Sequence, residues 1–282
     1  MNELPMSIQR AVSRYKPVET DGLTLYPVLV SEYELFLAAR PALEVLHQSL
    51  PVGLMRMPLL SALYRMDYEA ILNGETPSGL FSRALLALAL SLRLGEGQDA
   101  AERMKSIQFS VDREDPRKLL RLRFTDGNGT KHEISPVQFK ILREIIAAQN
   151  GVELESEKAN PDLVRAKRDM NSSGAPTLDA RIEDLITAVS ALSNIEEEEI
   201  DQWPILKLQR RADAFQRMMG YIVCGVGEVN GTTWKGGNPN PHPFFRRTEQ
   251  NTLLSELGAR ADGNKPAPPE AAREIAEITN QL

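Results

Sequence analysis

Residues 107–134 read IQFSVDREDPRKLLRLRFTDGNGTKHEI, and this stretch decides the fold class. Ile107, Phe109 and Val111 alternate with polar residues, and Leu120, Leu122 and Phe124 do the same around Arg121 and Arg123. A period of two is what a strand with one buried face requires. Asp126-Gly127-Asn128-Gly129 supplies a hairpin turn, because glycine and asparagine accept positive φ, and His132 to Ile134 form the returning strand. The stretch predicts a small antiparallel β-hairpin or meander.

Helical spacing surrounds it on both sides. Downstream, Ser135-Pro136 opens a helix by cap and first-turn proline. Val137, Ile141, Leu142, Ile145 and Ala148 mark its buried face, and Asn150-Gly151 ends it. Upstream, Leu23 to Val30 predicts a short strand. Ser31 and Glu34 form a capping box for a helix that Pro41 kinks or divides. Pro58 begins another helix, which Asn73-Gly74 ends, and Pro77 to Leu94 form a third. The expected class is therefore α+β, predominantly α-helical: a helical bundle with a small antiparallel meander.

Beyond residue 151 the chain turns polar, with Asn160-Pro161 and Ser172-Ser173-Gly174 as breakers. Two apolar stripes follow: Leu178, Ile182, Leu185, Ile186, Val189 and Leu192, then Ile205, Leu208, Ala212, Phe215, Met219 and Ile222. The second alternates steps of three and four, like a short coiled coil, and is expected to pack on the first. The acidic run Glu196 to Glu199 between them suits a helix N-terminus through the dipole. Gly263 to Pro269 reads as a linker and Glu270 to Gln281 as a last amphipathic helix. Four regions result: 1–100, helical; 101–150, meander plus helix; 151–229, acidic loop and helical pair; 230–282, extended arm and C-terminal helix.

Composition limits the function classes. A 282-residue chain with 42% hydrophobic residues can build a core of one large or two modest domains. A formal charge of −6 argues against general binding of nucleic acid, which needs a basic face to displace counterions. Residues 101–150 hold ten Lys/Arg against seven Asp/Glu, and residues 151–201 hold five against thirteen. The two segments are solvated faces of opposite sign or a basis for self-association. The single cysteine, Cys224, precludes an internal disulfide and implies no oxidising compartment. Residues 1–10 lack the pattern of a signal peptide. Arg83 and Arg93 leave only nine residues between them in the most apolar stretch, too few to span a membrane.

Chemistry-bearing patterns are sparse. His47, His132 and His242 are dispersed, with no partner at metal-ligand spacing, so no metal and no cofactor is expected. Cys224 lies in an apolar helix and reads as a buried thiol. Gly225-Val226-Gly227 follows a helix, whereas a phosphate-cradling loop follows a strand and precedes a helix. No nucleophile elbow or P-loop lysine is present, and no carboxylate pair stands out from the rest. The expectation is a protein without enzymatic activity, with an unrecognised carboxylate site as the outside alternative.

The segment of unusual composition is Trp234 to Phe245, WKGGNPNPHPFF. Three prolines restrict it to extended conformations, and three aromatic residues are costly to leave in water. It either docks on the chain's own core or inserts into a partner. Trp234, Asn238, Pro239, Phe244 and Phe245 are the candidate partner-binding residues.

Several phrases, taken in order, carry a likeness. They are Ser135-Pro136-Val137-Gln138-Phe139, Gln149-Asn150-Gly151, Asn160-Pro161-Asp162-Leu163, Glu183-Asp184-Leu185-Ile186, Glu199-Ile200-Asp201-Gln202-Trp203, and Lys235-Gly236-Gly237-Asn238-Pro239 with Phe244-Phe245. Through them residues 107–247 resemble proteins encoded in the tail-gene clusters of bacteriophages and prophages. The resemblance does not cover residues 1–100 or 248–282. It implies a tail assembly chaperone-like protein that attends the tape-measure protein in the host bacterial cytoplasm. The alternative it implies is a permanent part of the tail or baseplate. The partners so implied are phage tail or baseplate proteins.

Overall fold

The computed structural model describes residues 4–95, 99–154, 181–234, 238–240 and 242–243. The fold is α+β and mostly helical. It divides into two compact units, Met1–Ala212 and Asp213–Leu282. The first unit holds α1 (Met6–Ser13), a hairpin of β1 (Val18–Thr20) and β2 (Leu23–Leu25), and α2 (Tyr33–Leu43), α3 (Leu59–Leu72), α4 (Leu80–Ser91) and α5 (Ala100–Lys105). A meander of β3 (Gln108–Val111), β4 (Leu119–Thr125) and β5 (Lys131–Ile134) follows, then α6 (Phe139–Gln149), α7 (Ile182–Ser193) and α8 (Glu197–Asp201). The long helix α9 (Ile205–Val229) begins in the first unit and supplies most of the described part of the second.

The core of the first unit forms around α4. Residues 84–91 are all buried, as expected of a helix that is apolar all round, and α2, α3 and α5 pack against it. Its start has no capping side chain of its own. Asp67 of α3 takes that role, accepting from Ser78 Oγ at 2.6 Å, Gly79 N at 3.1 Å and Phe81 N at 3.1 Å. A carboxylate there satisfies otherwise orphaned donors and opposes the helix dipole. At the other end of α2, buried Arg143 of α6 donates to Leu43 O at 2.6 Å and Val45 O at 2.8 Å. No helix among the described residues is long and apolar enough to cross a membrane.

The meander is antiparallel in the order β3-β4-β5. Its alternation is not the one read from sequence. A register shift between Ser110 and Val111 pairs Val111 with Leu119 while Ser110 pairs with Arg121. The bulge turns Leu119 inward and leaves Leu120 exposed, although Leu122 and Phe124 remain buried as expected. Phe109 is half exposed, and its ring packs beside those of Tyr64 and Phe81. In the β4–β5 turn only Gly129 has positive φ, at 80°. The other anchor is Asp126, whose Oδ1 accepts from Asn128 N at 2.9 Å and Thr130 N at 2.8 Å. Its Oδ2 meets His132 Nε2 at 2.9 Å.

Other local expectations are corrected by the packing. The strand read as Leu23 to Val30 ends at Leu25, and a 3-10 turn over Val30–Glu32 separates it from α2. Glu32, not Ser31, stands at the start of α2, and its carboxylate pairs with Arg103 at 2.6 Å in a largely buried ion pair. Pro41 neither ends nor divides α2, which runs on to Leu43. The carbonyl that loses its donor belongs to Leu37, a residue 43% exposed, so the loss falls on the side of α2 away from the core. Ser135 and Gln138 form a reciprocal capping box: Ser135 N donates to Gln138 Oε1 at 2.8 Å and Gln138 N to Ser135 Oγ at 3.4 Å. Because the box occupies 135–138, Val137 falls outside the helix and is exposed, not part of its buried face.

The segment Val28–Val30 meets the chain just before α9. Val30 N donates to Trp203 O at 2.8 Å and Ile205 N donates to Val28 O at 3.0 Å. Val28 N in turn donates to Asn150 Oδ1 at 2.9 Å, while Asn150 Nδ2 donates to Ile146 O at 2.8 Å. Asn150 therefore ties the end of α6 to the segment that fixes the start of α9. Lys207 Nζ caps this junction 3.6 Å above the Trp203 ring. Desolvation by burial holds the Lys207 ammonium below its ordinary pKa. Glu196 and Glu197 to Glu199 occupy the cap and first turn of α8. The phrases at 160–163 and 172–174, Leu178 of the first stripe, the 263–269 linker and the 270–281 helix lie outside the described residues.

Candidate protein-interaction surface

The second unit is built on the part of α9 after Ala212, and its sequence gives that helix two different sides. One side carries small residues at steps of four and three: Gly220, Cys224 and Gly227. The chain after the helix lies against them. At Val229 the helix ends in a Schellman turn, with Thr232 N donating to Gly227 O at 2.9 Å and Gly231 N to Glu228 O at 3.0 Å. That reversal brings Trp234 beside Gly227, where a Cβ would stand 3.4 Å from the indole.

Further along, Asn238 Nδ2 donates to Glu228 Oε1 at 2.8 Å, and Asn238 Oδ1 accepts from Asn240 N at 2.8 Å. Asn240 then rests over Gly220 and Cys224. Its Nδ2 is 3.8 Å from Cys224 Sγ, and a Cβ on Gly220 would come within 2.8 Å of that nitrogen. The absence of side chains at 220 and 227 is what lets the arm approach so closely. Cys224 is buried.

Trp234, Asn238 and Pro239 are the three sequence-proposed contact residues that the structure describes. Trp234 and Asn238 are half buried, and Pro239 is exposed at the outside of the turn. Phe244 and Phe245 lie outside the described residues. The tryptophan indole N–H is buried and has no acceptor among the described residues.

The other side of α9 is the feature that sequence reasoning did not locate. Met219, Ile222, Val226 and Val229 are 52%, 49%, 56% and 88% exposed, with Met218, Tyr221 and Val223 exposed beside them. The expectation that this stripe packs on the preceding helix is not met: α7 packs on α8, and at the beginning of the stripe Ile205 joins the core of the first unit and Leu208 is buried. From Met219 onward nothing described covers it. Isolated exposed apolar residues are ordinary, but contiguous patches of several hundred Å² mark interaction sites. A hollow of about 610 Å³ opens in this face between Tyr221, Ile222, Gly225 and Val226. Glu228 and Asn238 form its polar rim. The available signal was the spacing itself, which continues past Ile222 to Val226 and Val229 in the same steps of four and three.

Among the described residues no three His, Cys, Asp or Glu side chains come together as metal ligands. A second cleft, along β4 and β5, is lined by Lys105, Arg123, Lys131, His132 and Glu133. Arg121 and Arg123 are both paired with Glu133, which holds the Glu133 carboxyl below its usual range. This cleft is a salt-bridged surface, and the apolar face of α9 remains the better candidate. No protein-family model, no curated protein and no solved structure matches the chain.

Proposed function

We propose that this chain is a non-enzymatic, tail assembly chaperone-like protein of a phage or prophage. It works in the host bacterial cytoplasm through contacts with tail or baseplate proteins, the tape-measure protein among them. The observation that carries the reading is the apolar face of α9, uncovered by any described residue and bordered by the folded-back arm. Burial of such a face is a driving force for association. The ordered phrases shared with tail-cluster proteins supply the class of partner. Asn238 borders the face, Trp234 and Pro239 belong to the same arm, and Phe244 and Phe245 follow them in sequence.

Two measurements test the proposal. Deleting the gene from an inducible prophage should abolish complete tails in electron micrographs, and particles with normal tails would overturn it. Mass spectrometry of purified particles separates a chaperone, absent from them, from a permanent tail or baseplate component, present at fixed copy number.

A further inference from the structure

We infer that the exposed side of α9 pairs with the same side of α9 in a second copy of this chain. The inference goes beyond tail assembly and does not depend on it. Ile205, Leu208, Ala212, Phe215, Met219, Ile222, Val226 and Val229 follow one another at steps of three and four without a break. A seam of period 3.5 is the pattern by which one helix packs along another. Its first members, Ile205 and Leu208, are spent inside the first unit. The stretch from Asp213 to Val229 extends about 25 Å at 1.5 Å per residue, long enough for more than two heptads.

The shape of the face specifies a helix as occupant. In knobs-into-holes packing each knob enters a diamond of residues at i, i+3, i+4 and i+7. Ile222, Gly225, Val226 and Val229 stand at that spacing, and all four line the hollow. Gly225 leaves the diamond deep, because a Cβ built there meets nothing within 4 Å. Knobs that could fill it, Met219 and Ile222, are on the same side of the same helix. A surface carrying both parts is self-complementary, as a two-fold dimer requires.

Charge removes the usual obstacle to self-pairing. Positions flanking a seam select or reject partners through charge. Here the flanking residues Gln216, Met218, Val223 and Gly225 are uncharged, and Arg217 is the one formal charge between Asp213 and Glu228. Arg217 stands three residues before Gly220 and seven before Cys224, on the side that the arm occupies. Asn240 covers that side, while Asn238 reaches only the rim of the hollow, beside Glu228.

Sedimentation velocity of the full chain tests this across concentrations up to about 100 μM, the range that resolves micromolar affinity. The expected result is a concentration-dependent shift from 31.4 kDa toward twice that mass. Ile222→Gln and Val226→Gln should each weaken the dimer at least about tenfold while leaving the far-UV circular dichroism unchanged, because glutamine is a good helix former. Val52→Gln, at an exposed site in the first unit, should leave the dimer intact. A chain that stays at 31.4 kDa throughout overturns the inference and means that its own tail or a foreign protein covers the face. A dimer that both seam variants leave unweakened overturns it equally.

Discussion

Replacing Asn150 by alanine should destabilise the first unit by about 3 kcal/mol, although the residue lies far from the interaction surface. Asn150 and Val28 are both fully buried, so water cannot replace the side-chain acceptor that Val28 N–H uses at 2.9 Å. A buried donor left without a partner costs about 1–3 kcal/mol. The bond from Asn150 Nδ2 to Ile146 O adds less, because that carbonyl also accepts from Asn150 N at 3.2 Å. The small void left by truncation adds roughly another 1 kcal/mol.

For a unit of this size about 3 kcal/mol lowers Tm by roughly 6–12 °C. Differential scanning calorimetry reads that shift. Hydrogen exchange should show the Val28 and Ile205 amides losing protection together, since Ile205 N donates to Val28 O. Asn230→Ala is the control: its side chain also reaches back to a helix carbonyl, Val226 O at 2.9 Å, but in an exposed place, and it should cost under about 0.5 kcal/mol. An Asn150→Ala cost as small as the control's would refute the claim that this side chain organises the start of α9.

Further expectations follow from the turns and the arm. Gly129→Val should cost about 2 kcal/mol because valine resists the positive φ found there, whereas Gly127→Val, at negative φ, should cost clearly less; equal thermal shifts would contradict the turn geometry. Hydrogen bonds from His132 and then Thr130 hold the Asp126 carboxyl below its ordinary value of 3.8. The turn therefore gains stability from that charge above about pH 4 and loses it as pH falls through the lower folded value; a carbon-detected titration with a midpoint at or above 3.8 would exclude this. With 5-fluorotryptophan incorporated, Gly227→Leu should shift the Trp234 resonance and spare that of Trp203, because the new side chain occupies the place of the indole. Trp234→Ala should weaken co-purification with tail proteins by about 2 kcal/mol, as buried aromatic anchors do, without changing the melt of the first unit.

Local physics made much of this protein legible without coordinates. The positions of α3, α4 and α6, the meander, the acidic cap of α8 and the buried thiol follow from period, punctuation and dipole, which act over a few residues. Where a residue's environment depends on distant chain, the same reasoning misplaced it. Leu119, not Leu120, is buried because β4 carries one extra residue, Leu120, between its pairings with Ser110 and Val111, and only the pairing with the partner strand decides where such a bulge falls. Pro41 lies inside a single helix that runs to Leu43, so the alternative of two short helices does not hold.

The same division holds at the candidate surface. The steps of three and four along α9 mark a stripe meant for contact, and the chain alone sets that stripe. Which part of it remains for another molecule was decided by tertiary structure. The first unit buries Ile205 and Leu208, the arm lies over Gly220, Cys224 and Gly227, and the side from Met219 to Val229 is left open. Hydrophobic spacing records that a side chain can be buried; only packing determines what buries it.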